Sequence, residues 1–172
     1  MKRLIGCILV FGALSLYMIS CEKDDLCDPL ITKTPNMIVE FYRAENREEP
    51  LTVSNLRYFV EGRTEEIEVG DVDSTAVPLR VDATSTKWGF KRDRAGGAGS
   101  IITDTDYIEF KYTTREEYVS RACGFKTLFT LDSDVPNPVL TAGDDNTFWI
   151  ESVEIEQYEI ENENEVHVKV YF

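Results

Sequence analysis

The chain has 172 residues, of which 32 are acidic and 18 basic, so its formal net charge is −14. A surface of this sign repels polyanions, and the composition therefore excludes nucleic acid as a partner. The length fits one domain with a buried core.

The first twenty residues predict an export signal. Lys2 and Arg3 follow Met1, and the stretch 4–19 carries no charge. This stretch is shorter than the span of about 20 apolar residues that crosses a membrane, but it suits the apolar region of a signal peptide. Removal of residues 1–20, which hold two of the basic side chains and none of the acids, leaves 152 residues with a net charge of about −16.

Cys21 predicts a lipid anchor. The segment Met18-Ile19-Ser20-Cys21 resembles a lipobox, in which a bulky apolar residue stands three places before the lipidated Cys and a small residue directly before it. The alternatives are an ordinary signal peptide or an uncleaved anchor, but no A-x-A-like cleavage site precedes Cys21. A lipoprotein of this pattern carries a diacylglycerol on the sulfur and usually a further chain, such as palmitate, on the amine, which together hold it stably on a membrane.

Residues 21–35 predict a lipidated tether. Directly behind the lipidated residue stands Glu22-Lys23-Asp24-Asp25, which resembles the surface-export signal of Bacteroidetes lipoproteins. We therefore expect the protein in the outer membrane, with its domain facing the cell exterior. The alternative is a charged linker that keeps the tether extended while the domain faces the periplasm.

Two of the four cysteines remain for the folded domain. Cys7 leaves with the signal and Cys21 takes the lipid, so Cys27 and Cys123 are left, 96 positions apart. An oxidising compartment favours a disulfide between them, which contributes up to about 4.7 kcal/mol in the chain-entropy treatment. Two free thiols or a metal site are the alternatives, although without a CxxC pair or a nearby His the zinc pattern is weak.

Residues 36–172 show alternation with period two, which predicts β-strands. The run 37–42 is apolar on both faces apart from Glu40, as is typical of a central strand. The later runs that alternate are 56–60, 67–69, 77–81, 88–90, 108–112, 123–131, 149–156 and 166–172. Short strands separated by Gly, Pro, Asp and Asn predict an all-β domain, a single antiparallel β-sandwich that is immunoglobulin-like in general layout.

The sequence also predicts a local helical turn and the buried face of one strand. The segment Thr114-Arg115-Glu116-Glu117 has the pattern of a capping box and predicts one short helical turn. In the run 123–131, Phe125 is expected on the buried face together with Phe129 and Leu131.

Three segments together carry a family resemblance. They are T-P-N-M-I-V-E-F-Y near the mature start, S-R-A-C-G-F-K-T-L-F around Cys123, and H-V-K-V-Y-F at the end. Over most of the mature chain they are similar to a family of small uncharacterised Bacteroidetes lipoproteins. The resemblance implies a cysteine pair, Cys27 with Cys123, and a compact β domain, and it implies no activity.

The residues that could carry chemistry do not form a recognisable catalytic set. His167 is the single histidine and is expected on the outward face of the last strand, together with Lys169 and Tyr171. Aspartates with the D-x-D spacing of calcium loops occur at 71 and 73, 104 and 106, and 132 and 134, but none completes an EF-hand pattern. We therefore expect no catalytic residue, no metal and no cofactor.

Two further segments are candidates for partners or modification. Arg92 and Arg94 precede the glycine-rich run 95–100, which lacks a Walker lysine and predicts a basic hairpin tip that could meet an acidic partner. Asp73-Ser74-Thr75 resembles the acceptor of Bacteroidetes O-glycosylation, which makes Ser74 a candidate modification site.

These patterns favour a non-enzymatic binding or structural module of the envelope, with the membrane as partner through its lipid and an envelope protein or a glycan as ligand. One rival is a glycan-acting hydrolase, which needs two acids about 5–9.5 Å apart in a cleft. The other is an assembly subunit that accepts a partner strand at an open sheet edge.

Overall fold

A computed structural model describes Cys27 and residues 33–134, 136–143 and 146–172. The predicted signal, the lipid anchor at Cys21 and the export segment 22–25 lie outside the described residues. Within the described ranges, no helix has the length and apolar character needed to cross a membrane.

The described part of the chain forms eleven β-strands and no α-helix. The strands are β1 Met37–Tyr42, β2 Val53–Val60, β3 Ile67–Val72, β4 Ser74–Val77, β5 Ser85–Ala95, β6 Ile101–Ser120, β7 Gly124–Leu131, β8 Val139–Ala142, β9 Ser152–Ile155, β10 Glu159–Ile160 and β11 Val168–Tyr171. A 3-10 turn, Gly97–Gly99, closes the hairpin between β5 and β6, at the glycine-rich tip that the sequence predicts.

The strands belong to two sheets. One has the order β4-β1-β11-β9, and the other has the order β10-β7-β6-β5-β2-β3, with β8 paired to β6. Strands β1 and β11 run parallel, whereas the other pairs with a defined register are antiparallel. The prediction of an all-β sandwich is confirmed.

The core lies between the inward faces of the two sheets. In β1, Met37, Val39 and Phe41 are buried and alternate with half-buried residues, and the strand is paired on both sides, as its apolar character predicts. They pack in one cluster with inward residues of the other sheet such as Phe90 and Phe110. Full burial of one such side chain contributes about 1.5–3 kcal/mol, so this cluster supplies most of the driving force for folding.

The chain divides into two compact units. The larger comprises Lys33–Glu117 and Lys126–Phe172. The smaller comprises Met1–Thr32 and Tyr118–Phe125, of which the structure describes Cys27 and the second segment. In the smaller unit Cys27 and Cys123 are joined as a disulfide, with their Cα atoms 5.0 Å apart, inside the range that the bond requires.

The structure corrects two local expectations. Residues 114–117 are extended within β6 and form no helical turn. A single turn costs more conformational entropy than its one hydrogen bond returns, so the segment follows the extended backbone of the long strand in which it lies. Phe125 is 62% exposed, because β7 contributes to the core only from Leu128 onwards.

Candidate ligand-binding face

The outward face of the seven-stranded sheet carries a row of residues that meet across four strands. Phe59 of β2 is opposite Gly89 of β5, Gly89 is opposite Tyr107 of β6, and Tyr107 is opposite Thr141 of β8. The centroids of the Phe59 and Tyr107 rings are 5.9 Å apart, with an interplanar angle of 81°. Two half-buried aromatic rings therefore pack edge to face on the outward side of the sheet, where polar residues are the usual choice.

Gly89 allows this arrangement. A Cβ atom at this position would lie 2.4 Å from Cζ of Phe59, far inside van der Waals contact. Only glycine leaves room for the phenylalanine ring to lie across the backbone of β5, and a glycine within a strand commonly marks such a close approach.

A lysine side chain lies over each of the two rings. Lys91 Nζ lies 4.7 Å from the centroid of Phe59, and Lys87 Nζ lies 5.0 Å from the centroid of Tyr107. Lys87 forms an ion pair with Glu61 at 2.7 Å, and Lys91 forms one with Glu66. We call Phe59, Gly89, Tyr107, Lys87 and Lys91 the aromatic platform. Since each lysine has a carboxylate partner, the platform carries little net charge.

One end of the platform is held by an ordered ion pair. The Arg57 guanidinium donates to both carboxylate oxygens of Asp93, at 2.9 and 3.2 Å. Hydrogen bonds from Arg57, from the Asn55 amide and from the Thr103 hydroxyl hold the pKa of Asp93 well below its usual range. The carboxylate therefore stays ionised at any physiological pH.

A cavity of about 450 Å³ lies on the inward side of β2 and β5. Trp88 forms part of its wall and is fixed by a hydrogen bond from Nε1 to the carbonyl of Pro78 at 3.1 Å. Arg80 and Asp82 pair through two contacts of 3.1 Å each. The remaining lining residues are Val60, Arg63, Leu79 and Val81. This cavity is open and has few fixed polar groups, so it defines a ligand less sharply than the platform does.

The aspartates at 104 and 106 are structural and do not form the calcium pair that their spacing suggests. Asp106 is fully buried, and one of its carboxylate oxygens accepts hydrogen bonds from the backbone N–H groups of Trp149 and Ile150, at 2.7 and 2.8 Å. Asp104 pairs with Arg94 at 2.7 Å and with Arg92 at 3.6 Å. Among the described residues, no three His, Cys, Asp or Glu side chains converge as a metal site.

Arg92 is partly buried and packs against two aromatic rings, so it does not belong to a free basic tip. Its guanidinium lies 4.9 Å from the ring centroid of Trp149 and 5.1 Å from that of Phe172. Desolvation by burial lowers its pKa. The Arg92 side chain thus covers the edge of the core near Asp104. Of the two arginines, only Arg94 has a side chain that is about half-exposed.

His167 is buried and does not lie on an outward face. It is 1% exposed, and its Nδ1 accepts a hydrogen bond from the backbone N–H of Ile38 at 2.9 Å. Tyr171 is buried too, with Arg47 stacked over its ring at 4.4 Å. Lys169 and Tyr171 lie opposite Glu40 and Tyr42, on the outward face that the sequence predicts, but Arg47 covers the Tyr171 ring. The prediction is therefore wrong for the exposure of His167 and right for the face on which Lys169 and Tyr171 lie.

The predicted modification site lies on an edge strand. Ser74 is exposed and begins β4, the outer strand of the four-stranded sheet, directly after a bend at Asp73. Its side chain is therefore accessible to solvent. Of the other D-x-D aspartates, Asp71 accepts a hydrogen bond from the Asn55 backbone N–H, whereas Asp132 and Asp134 together line a shallow cavity of about 340 Å³.

Sequence comparison places this fold in a family. The profile of a family of unknown function, DUF6452, matches residues 57–172. The chain belongs to the DUF6452 family. No curated protein and no solved structure matches the chain. The matched DUF6452 region includes the whole aromatic platform and Cys123, whereas Cys27 and β1 precede it.

Sequence reasoning missed the platform. The run Lys87-Trp88-Gly89-Phe90-Lys91 shows that two aromatic residues face inward and two lysines outward, and a glycine between them is a signal of close backbone approach. What stacks on that glycine depends on the register of β2 against β5, which no local pattern provides.

Proposed function

We propose that this DUF6452 member is an outer-membrane lipoprotein whose β-sandwich binds a neutral glycan on the aromatic platform without cleaving it. The observation that carries the proposal is the stacking of Phe59 over Gly89 beside Tyr107 on the outward sheet face. Neither Phe59 nor Tyr107 belongs to the hydrophobic core. We therefore infer that the two rings on this outward face contact a ligand.

The chemistry of the platform suits a sugar. A pyranose ring has an apolar face of C–H groups, which packs on an aromatic ring, and a rim of hydroxyl groups that need hydrogen-bond partners. Lys87 and Glu61, together with Lys91 and Glu66, supply charged donors and acceptors around the two rings. Hydrogen bonds to charged groups are about twice as strong as those between neutral groups, so these side chains can orient the hydroxyls.

Charge favours a neutral glycan over an acidic one. The platform's cations are each paired, and the full chain has a net charge of −14. An anionic polysaccharide would meet long-range repulsion with little local compensation. The cation–π contacts of the two lysines contribute only about 0.5–1 kcal/mol each at an exposed site, so a sugar can displace the ammonium groups from the ring faces.

The anchor completes the proposed role. Lipidation at Cys21 would hold the domain on the outer membrane, and the segment 22–25 would direct it to the cell exterior, where polysaccharides are met. Support comes from the lipobox resemblance and the resemblance to Bacteroidetes lipoproteins.

Growth of cells with an alkyne analogue of palmitate should label the wild-type protein but not Cys21→Ala, and an unlabelled wild-type protein would refute the anchor.

A glycan array tests the binding role. The mature lipoprotein, purified in detergent, should bind neutral oligosaccharides, and 0.5 M salt should leave this binding largely intact because screening acts on charges, as follows from a Debye length of roughly 4 Å at that concentration. Mass spectrometry of the bound sugar should find it uncleaved. Binding confined to acidic glycans and abolished by salt would contradict the proposal, as would release of shortened products, which would favour the hydrolase.

The assembly alternative receives less support from the sheet edges. In the described part of the chain the outer strands of the two sheets, β3, β4, β9 and β10, have between two and six residues. The longest of them, β3, carries Glu68 and Asp71. Short, charged edges are typical of strands that avoid pairing with another chain.

A further inference from the structure

The hairpin end in the smaller unit presents two aromatic side chains to solvent. Tyr118 is 55% exposed and Phe125 is 62% exposed, and their ring centroids lie 5.3 Å apart. The segment Tyr118–Phe125 contains one charged residue, Arg121, and no acid, in a chain with 32 acidic residues. This segment is therefore an apolar, acid-free part of the surface of an acidic protein.

The disulfide connects this segment to the membrane anchor. Cys123 lies between the two aromatic residues in sequence and is bonded to Cys27, which follows Cys21 by six positions. Six residues span at most about 22 Å when fully extended. With the 5.0 Å between the Cα atoms of the bonded cysteines, Cys123 stays within roughly 27 Å of the lipidated residue.

We propose that the hairpin end, residues 118–125, docks on the lipid bilayer, with Tyr118 and Phe125 in the headgroup layer. The inference rests on the proposed lipidation of Cys21. Tyrosine is enriched at membrane interfaces because its ring is apolar and its hydroxyl is polar. Arg121 sits between the two aromatics and can reach lipid phosphates, and the absence of acids in the segment removes the repulsion that the rest of the surface would cause.

The disulfide is what makes the docking site specific. Without it, the anchor would constrain the chain only through residues 21–33, and any surface of the domain could approach the bilayer. With it, the shortest path from the acyl chains into the folded chain ends at Cys123, so the aromatic pair is held where a lipid surface is always within reach.

Fluorescence quenching by brominated lipid tests the inference. Tyr118→Trp is introduced into the lipidated protein, which is placed in phosphatidylcholine vesicles carrying bromine on their acyl chains. The native Trp88 and Trp149 are buried and provide the background, measured in the parent protein. We expect the bromine to quench the emission of the new tryptophan strongly, because a side chain seated at the headgroup–acyl boundary lies close to the brominated acyl chains. Phe148→Trp, which replaces a phenylalanine that is 56% exposed in the larger unit, is the matched control and should be quenched far less.

A second variant tests whether docking depends on the length of the tether. Insertion of ten Gly and Ser residues between Asp25 and Leu26 leaves both cysteines in place but lengthens the path from the lipid, and quenching of the tryptophan at position 118 should decrease. Absence of quenching in palmitate-labelled protein with the normal tether would overturn the docking proposal, and so would equal quenching of the tryptophan at position 148. Loss of palmitate labelling itself would instead refute the anchor on which the proposal rests.

Discussion

Single residues in this protein acquire their roles from partners far away in the sequence. Gly89 leaves room for the ring of Phe59, which lies thirty positions earlier in the sequence. His167 accepts a hydrogen bond from the backbone N–H of Ile38, from which it is separated by 129 positions. Asp106 likewise serves two backbone N–H groups at Trp149 and Ile150. In each case the residue type fits its place because a glycine, an imidazole nitrogen or a carboxylate completes a contact across the fold.

The buried His167 predicts a pH dependence of stability. Desolvation by burial lowers its pKa, and protonation of Nδ1 would remove the acceptor for the Ile38 N–H group. The unfolded chain binds a proton near the ordinary pKa of about 6.5, whereas the folded protein binds it only at lower pH, so the contribution of His167 to stability is intact above pH 6.5 and falls as pH decreases below it. The loss cannot exceed about 1.4 kcal/mol per pH unit for one proton.

Urea unfolding between pH 7.5 and 5.5 measures this effect in the wild type and in His167→Asn. The asparagine oxygen can take the place of Nδ1 as acceptor and does not titrate. We expect the wild type to lose stability over this range and the variant to change much less. Parallel pH profiles for the two proteins would contradict the role assigned to His167.

At the level of strands, alternation of residue types is sufficient to predict the architecture. The apolar run 37–42 becomes β1, paired on both sides, and the alternating final run becomes β11 beside it. The aromatic platform could not be predicted in the same way, because it arises from the registers of β2, β5 and β6, which are set by contacts between distant parts of the chain. The capping-box error at 114–117 has the same origin, since pairing within a long hairpin overrides a local helical preference.

The hairpin of β6 and β7 also carries the cysteine that ties the N-terminal segment to the fold. Mass spectrometry of non-reduced peptides should find Cys27 linked to Cys123 in protein isolated without reductant. Cys27→Ser should lower the free energy of unfolding by about 2–5 kcal/mol, because the bond closes a long loop in the unfolded chain. Reduced wild-type protein is the control and should match the variant. Two thiols that are freely alkylated in oxidised protein would contradict the pairing.

The whole molecule combines an acidic composition with a charge-balanced aromatic platform, and we propose a lipid anchor at Cys21. Protease shaving of intact cells tests its orientation: the wild-type domain should be clipped, and the variant Lys23→Ala/Asp24→Ala/Asp25→Ala should be protected. A known surface protein that is cut and a periplasmic protein that stays intact are the controls. Survival of the wild type while the surface protein is digested would place the domain on the periplasmic side.

The most direct test of the proposed function is electrophoresis in native gels cast with dextran, galactomannan, xyloglucan or starch. A neutral polysaccharide that binds the platform should slow the wild-type protein, and loss of one stacked ring in Phe59→Ala or Tyr107→Ala should weaken the affinity by about tenfold, equivalent to about 1.4 kcal/mol. Gly89→Ala should act similarly, because the new methyl group displaces the Phe59 ring. Phe148→Ala, which removes an exposed aromatic ring outside the platform, should migrate like the wild type. Retardation that is unchanged in Phe59→Ala, Tyr107→Ala and Gly89→Ala, or equally reduced in Phe148→Ala, would show that the platform is not the binding site.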